Sequence, residues 1–138
     1  MTLPHTGSLS YPARVGRWSP RWSPDGRYLA TLSWERPELK VFDFKTEKWS
    51  TLAVSDDVNF PSWSQDSQYI YSLVITPGGQ GVFRNRVTGE KAEQIIDLKD
   101  WHFTGYGAYA VTLDPTDAPL FLRDIGSSDI YSLALELK

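Results

Sequence analysis

The sequence predicts an all-β protein built of β-propeller blades, and three observations carry that prediction. Short runs rich in aromatic and β-branched residues are cut by Gly, Pro, Asp and Asn, the pattern of many short strands. Six Trp, seven Tyr and six Phe stand among 10 Gly and 9 Pro in 138 residues. The run Pro20–Leu29 (PRWSPDGRYL) returns as Pro61–Ile70 (PSWSQDSQYI), with Trp22 and Trp63 lying 41 residues apart. Each repeat has room for four strands, and four antiparallel strands in a unit of ~40–45 residues is the spacing of a propeller blade.

The first blade spans residues 17–54. Trp18–Ser23 is its first strand. Pro24-Asp25-Gly26 is a turn, where Gly supplies positive φ without steric cost and Asp bonds its own backbone. Arg27–Ser33 is the second strand, with Tyr28, Ala30 and Leu32 on alternate positions. Glu35-Arg36-Pro37 breaks it, Leu39–Phe44 is the third strand, and Trp49–Val54 the fourth.

The second blade, residues 55–97, repeats this as Asn59–Ser64, a turn at Asp66, Tyr69–Ile75, Gly81–Arg86 and Lys91–Ile96. Val41-Phe42 matches Val82-Phe83 at the same spacing, and Thr46-Glu47-Lys48 aligns with Thr88–Lys91 after a one-residue slip. Glu90–Leu98 is rich in helix formers, but the repeat register makes it a strand. The third blade, residues 98–138, is incomplete. Its turn carries Pro115 and Asp117, and its strands are Gly107–Leu113, Pro119–Arg123 and Asp129–Leu135, after an insertion around Lys99–Tyr106. The segment 1–16 has no partner within the first blade, so a strand from Thr2-Leu3 or Ser8–Tyr11 is expected to complete a blade begun at the other end.

Composition excludes several functions. The net charge of -3, from 14 Lys+Arg against 17 Asp+Glu, removes the main driving term for nucleic-acid binding. Absence of cysteine removes disulfides, Cys-based zinc sites and thiol nucleophiles. No run approaches the roughly 18 apolar residues of a spanning helix, so no membrane partner is expected. Met1–Tyr11 lacks the basic and apolar regions of a signal peptide. The chain as it stands reads as cytoplasmic, although a longer parent could be periplasmic.

The candidate residues divide into repeat positions and a possible binding surface. Trp22, Asp25, Gly26, Trp63, Asp66, Pro115 and Asp117 recur with the blades and read as structural, Trp22 and Trp63 as blade-core packing. Trp34 and Arg36 lie in a strand-connecting loop and Trp101-His102 in the third-blade insertion, and loops carry function more often than strands. These four are the expected ligand or partner surface. His5 and His102 are the sole histidines and show no metal-ligand spacing, so no metal and no cofactor are expected. Asp56-Asp57, Asp97 with Asp100, and Asp114 with Asp117 sit beside turns, where Asp serves backbone bonding. No nucleophile elbow, Walker loop or dinucleotide fingerprint occurs. No catalytic residue is assigned.

The Trp22–Ala30 run (WSPDGRYLA) resembles the WD-repeat-like β-propeller repeat of the TolB type, and the match extends over Ser19–Leu137 as three tandem units. The second unit departs at Gln65 and Ser67, where that family has Pro and Gly, and the third keeps Pro115 and the apolar frame. Phe42–Thr46, Gly81–Arg84 and Leu122–Asp124 are similar to the last three blades of a six-bladed acidobacterial propeller, which often follows a winged-helix or protein-kinase module; neither module is seen in this sequence. The resemblance implies a non-enzymatic scaffold for protein or peptide interaction. A small-ligand or carbohydrate-binding sensor, and a half-propeller fragment without independent activity, are the alternatives. Closed propellers have typically 4–8 blades, and three blades leave inter-blade faces and a strand edge open. The expected partner is therefore a second copy, in a head-to-tail homodimer forming one six-bladed ring.

Overall fold

The computed structural model describes residues 17–33, 36–54, 57–101, 111–123 and 126. Strands β1 (Arg17–Trp22), β2 (Tyr28–Ser33), β3 (Glu38–Asp43) and β4 (Lys48–Val54) form one antiparallel sheet in chain order. Strands β5 (Asp57–Trp63), β6 (Tyr69–Thr76), β7 (Gly79–Arg86) and β8 (Glu93–Asp97) form a second, and β9 (Val111–Leu113) with β10 (Pro119–Phe121) a hairpin. No helix occurs among the described residues. The all-β architecture of antiparallel four-stranded sheets is as expected. The proposed N-terminal strand and Asp129–Leu135 lie outside the described residues, as does all of Gly107–Leu113 before Val111.

Within the segment 90–98, rich in helix formers, Glu93–Asp97 form strand β8, and the side chains of that strand are mostly exposed. Glu93 and Gln94 therefore lose nothing by leaving a helix, while the pairing of Arg84 with Glu93 and of Phe83 with Gln94 satisfies the backbone. Burial is deepest in the second strands. β2 is buried at five successive positions and β6 likewise, because neighbours cover both of their faces.

Each first strand carries the same irregularity. Pairing slips between Trp18 and Arg21 in blade 1 and between Asn59 and Ser62 in blade 2. Ser19 (φ 53°) and Phe60 (φ 52°) take left-handed conformations at the two bulges, each followed by Pro. A proline has no N–H for the ladder, and a bulge is where a strand tolerates it. A left-handed Phe costs roughly 1–2 kcal/mol; Phe60 packs against the second core cluster, which offsets part of that cost.

The turn after each first strand is built by one small hydrogen-bonded unit. In blade 1 the Ser23 hydroxyl donates to Asp25 (2.5 Å) and accepts from the Tyr28 N–H (2.9 Å), while Asp25 accepts from the Arg27 N–H (3.0 Å). Blade 2 repeats this with Ser64, Asp66, Gln68 and Tyr69 at 2.6, 3.0 and 3.0 Å. In blade 3 the roles move: Asp114 takes the Ser position and accepts from the Thr116 hydroxyl and the N–H groups of Thr116 and Ala118. Gly26, Ser67 and Asp117 hold the left-handed corner, at φ of 73°, 60° and 64°. The Asp117 turn is one residue shorter than the Gly26 turn: the Asp114 N–H donates to the Ala118 carbonyl where the Ser23 N–H donates to that of Tyr28. Pro119, not Leu120, therefore takes the place of Leu29.

The Val41-Phe42 and Val82-Phe83 match does not follow the structural register. Leu32 pairs with Leu39, whereas its counterpart Leu73 pairs with Val82, so Val82 stands in the place of Leu39. The β6–β7 hairpin closes at Thr76 and Gly79 and extends both strands, which shifts the third strand by two residues. On this register Asn85, paired with Ile70, replaces Phe42, paired with Leu29.

The two faces of blade 2 are packed against different neighbours. Val58, Trp63, Ile70 and Val74 join Ala30, Leu32, Leu39 and Val41 of blade 1 in one core cluster. Tyr71, Leu73, Val82 and Leu98 form a second, against which Leu113 and Phe121 of blade 3 pack.

Candidate interaction surface

Blades dock by a defined set of contacts, and those contacts show which faces are filled. Trp63 is the centre of the junction between blades 1 and 2. It is 8% exposed, its ring lies nearly parallel to Tyr28 at 5.9 Å, and its indole N–H donates to the Arg21 carbonyl at 2.9 Å. The Asn85 amide donates to the Leu52 carbonyl at 3.2 Å beside it. At the turns, the Asp25 N–H donates to the Ser67 hydroxyl (3.1 Å) and the Gln65 N–H to Asp117 (2.9 Å). Gln65 and Ser67 are the residues at which the second unit departs from Pro and Gly. A proline has no N–H to donate and a glycine no hydroxyl to accept, so both departures make links between blades.

Trp22 has the same place in blade 1 and a different environment. It departs from the expected core packing: it is 58% exposed. Strand pairing sets Trp22, Leu29, Phe42 and Trp49 in one row across blade 1, as it sets Trp63, Ile70 and Asn85 in one row across blade 2. The blade 2 row is covered by blade 1. The blade 1 row instead gathers an aromatic surface, with Trp22 stacked on Phe44 at 4.8 Å, Phe44 edge-on to Phe42 at 4.9 Å, and Phe42 tilted against Trp49 at 5.1 Å.

Of the four residues expected to form a loop surface, Trp34 and His102 lie outside the described residues. Arg36 is exposed beside the start of β3. Trp101 is half-buried: it stands edge-on to Phe121 at 4.7 Å, donates to the Leu122 carbonyl at 3.2 Å and lies under the Arg123 guanidinium. Gln80 fixes this segment by donating to the Leu98 and Trp101 carbonyls. Sequence reasoning missed Phe42 and Phe44 as surface residues; their signal was the aromatic crowding near Trp22 and Trp49, which only strand register turns into one patch.

The charged groups serve the blades. Arg27 and Asp43 form a two-point pair at 2.9 and 3.2 Å, with Arg27 also over the Tyr28 ring. Arg84 pairs with Glu93 and Arg86 with Glu90, and both arginines flank the Tyr69 ring. Asp57 accepts from the Asn59 amide and Asp97 from the Lys99 N–H. Among the described residues, no group of three or more His, Asp or Glu is gathered to hold a metal.

These turn carboxylates make the fold acid-sensitive. The Arg27 guanidinium, followed by the Lys45 N–H, holds Asp43 down at about 2 from an ordinary 3.8. Asp25 and Asp66 are lowered by their serine hydroxyls, and Asp114 by Thr116. A carboxyl that binds its proton more weakly when folded leaves the unfolded chain with more protons, so stability falls as pH drops. The contribution is full above the unfolded value and is lost through the folded one. The urea midpoint is expected to hold from neutral pH to about pH 5 and to fall from there to about pH 2, with a smaller fall in Asp43→Asn. An unchanged midpoint at acid pH would contradict it.

The fold has known counterparts. No family model and no curated protein matches the chain. Among solved structures, TolB from Acinetobacter baumannii aligns with a TM-score of 0.60 at 18% identity, over 75% of this chain and 25% of that one. A prolyl endopeptidase aligns with a TM-score of 0.58 at 19% identity, over 84% and 20%. The isopeptidase AtxE2 aligns with a TM-score of 0.53 at 20% identity, over 73% and 20%. The chain thus spans a quarter or less of the length of each of these neighbours. Antiparallel four-strand blades in tandem, docked face on face, and these likenesses in fold together give the chain the TolB-like β-propeller fold.

Proposed function

We propose that the chain is a non-enzymatic β-propeller scaffold that binds polypeptide through an exposed apolar blade face. The observation that carries this is the contrast between Trp22 and Trp63: one register position, buried against blade 1 in Trp63 and exposed in Trp22. An aromatic patch of this kind suits the apolar surface of another polypeptide, and Trp is among the residues most enriched at the centres of such interfaces. The peptidase neighbours share fold at 19–20% identity, and likeness of fold does not carry activity. Asp25, Asp66 and Asp114 are engaged in turns and Asp43, Glu90 and Glu93 in ion pairs.

The test is a photocrosslinking residue placed at Trp22, with Thr88, exposed on the outer turn of blade 2, as the control position. In a cell lysate, polypeptide adducts are expected at position 22 and not at position 88. Absence of adducts at position 22, together with a change in Trp fluorescence on adding small sugars, would replace this reading with the small-ligand one.

A further inference from the structure

Large hydrophobic side chains stand exposed on two blade faces: Trp22 on blade 1, beside the buried Leu29, Thr31 and Ser33 of the same face, and Leu120 on blade 3. Inside the chain, the Trp63–Ile70 face of blade 2 sits on the Ala30–Leu32 face of blade 1. The counterpart of the first of these faces is the aromatic patch around Trp22. The counterpart of the second lies on β10. Pro119 pairs with Leu113 and Phe121 with Val111, and Leu113 and Phe121 pack toward blade 2. Successive strand residues point to opposite sides, so Leu120 faces away from blade 2, and it is 49% exposed. With the shortened turn counted, Leu120 stands where Ala30 stands in blade 1 and Tyr71 in blade 2. Both of those are buried. Leu122, the next residue on the Leu120 side, is 56% exposed. Trp22, Leu120 and Leu122 are three of the four large hydrophobic side chains exposed among the described residues.

Resting on the scaffold reading above, we infer that the Trp22 face is covered by the Leu120–Leu122 face of a second copy of this chain, and the reverse, so that two chains join head to tail. The junction is continuous in kind with the one between blades 1 and 2. The Trp22 indole N–H meets the carbonyl of Thr112 of the partner copy, the counterpart of Arg21. Leu120 and Leu122 of that copy stand in for Ala30 and Leu32. One link is missing between copies: Ser67 and Asp117 accept a turn N–H from the preceding blade, and Gly26, at the same corner, has no side chain to do so. Apolar burial therefore carries the contact between copies, and it is the weaker junction. A heterologous contact between copies closes when its rotation completes a ring.

The test uses the full chain and two variants at exposed positions, Trp22→Ser and Leu120→Ser. Solution mass is read by light scattering at low and at high micromolar concentration, with circular dichroism and melting curves confirming that each variant folds. Wild type is expected at the mass of two chains, and each variant alone at the mass of one, because each has one member of both junctions disabled. An equimolar mixture of the variants retains one intact junction, so its mean mass is expected to rise above that of either. A wild-type mass of one chain at every concentration overturns the inference. So does a mixture that stays at one chain, or a Leu120→Ser protein that keeps the two-chain mass, which would mean that Trp22 faces pair with each other. Single-chain wild type with polypeptide adducts at position 22 in lysate leaves the scaffold reading standing without this one; absence of both removes both.

Discussion

Trp63→Ala is expected to lower the folding free energy by about 3–5 kcal/mol. The indole is buried, stacks on Tyr28 and bonds the Arg21 carbonyl. Truncation leaves a cavity at the junction between blades and removes the donor to a part-buried carbonyl. A domain of ordinary stability has only about 5–15 kcal/mol in total, so the variant is expected near or beyond the edge of folding at room temperature. Trp22→Ala supplies the internal control. It removes the same side chain from the same register position, but an exposed one, and surface changes typically stay within about 0.5 kcal/mol. Urea denaturation at low protein concentration, where association between chains does not contribute, compares the two. Equal losses would mean that Trp22 is covered or that Trp63 is not.

Gly81 is the second position where one substitution is expected to be severe. Its backbone is not in the left-handed region; the constraint is space. A Cβ there would lie 2.7 Å from the Ile96 carbonyl oxygen and 2.8 Å from the Gln94 amide. The first contact is with backbone and cannot be relieved by turning a side chain. Gly81 pairs with Asp97 and Val82 with Ile96, so relief requires β8 to move off β7. Gly81→Ala is expected to cost on the order of 1–3 kcal/mol, and Gly81→Val more, with the loss concentrated in β8. Amide hydrogen exchange checks this: the Ile96 and Asp97 amides are expected to lose protection before those of β6. Uniform loss of protection across the sheet would contradict the local account.

Much of this architecture was legible in the residues, and the gaps have physical causes. The Trp22 and Trp63 spacing, the Asp-containing turns and the strand order follow from local chemistry, while the strand at 93–97 was legible only from the repeat register, because pairing there outweighs propensity. The left-handed Phe60 was not legible, because the bulge and Pro61 impose it against the preference of the residue. The two-residue shift of β7 was hidden by an identical Val-Phe pair; hairpin length, not dipeptide identity, sets register. The candidate surface was legible only in part. Trp is buried on average, so Trp22 reads as core until its cover is counted blade by blade. Gln65 and Ser67 stood out as departures, but their use required knowing which turn of the next blade lies against them.

The most direct test of the account is the exchange of the two indole N–H protons with solvent, assigned through Trp22→Phe and Trp63→Phe. The account predicts that the Trp63 proton is protected at every protein concentration, because its acceptor lies in the same chain. The Trp22 proton is predicted to exchange rapidly when the protein is dilute and to gain protection as concentration rises, because its acceptor lies in a second copy. Equal and rapid exchange of both would contradict docking of the blades through this tryptophan. Protection of Trp22 independent of concentration would contradict a face left open for a second chain.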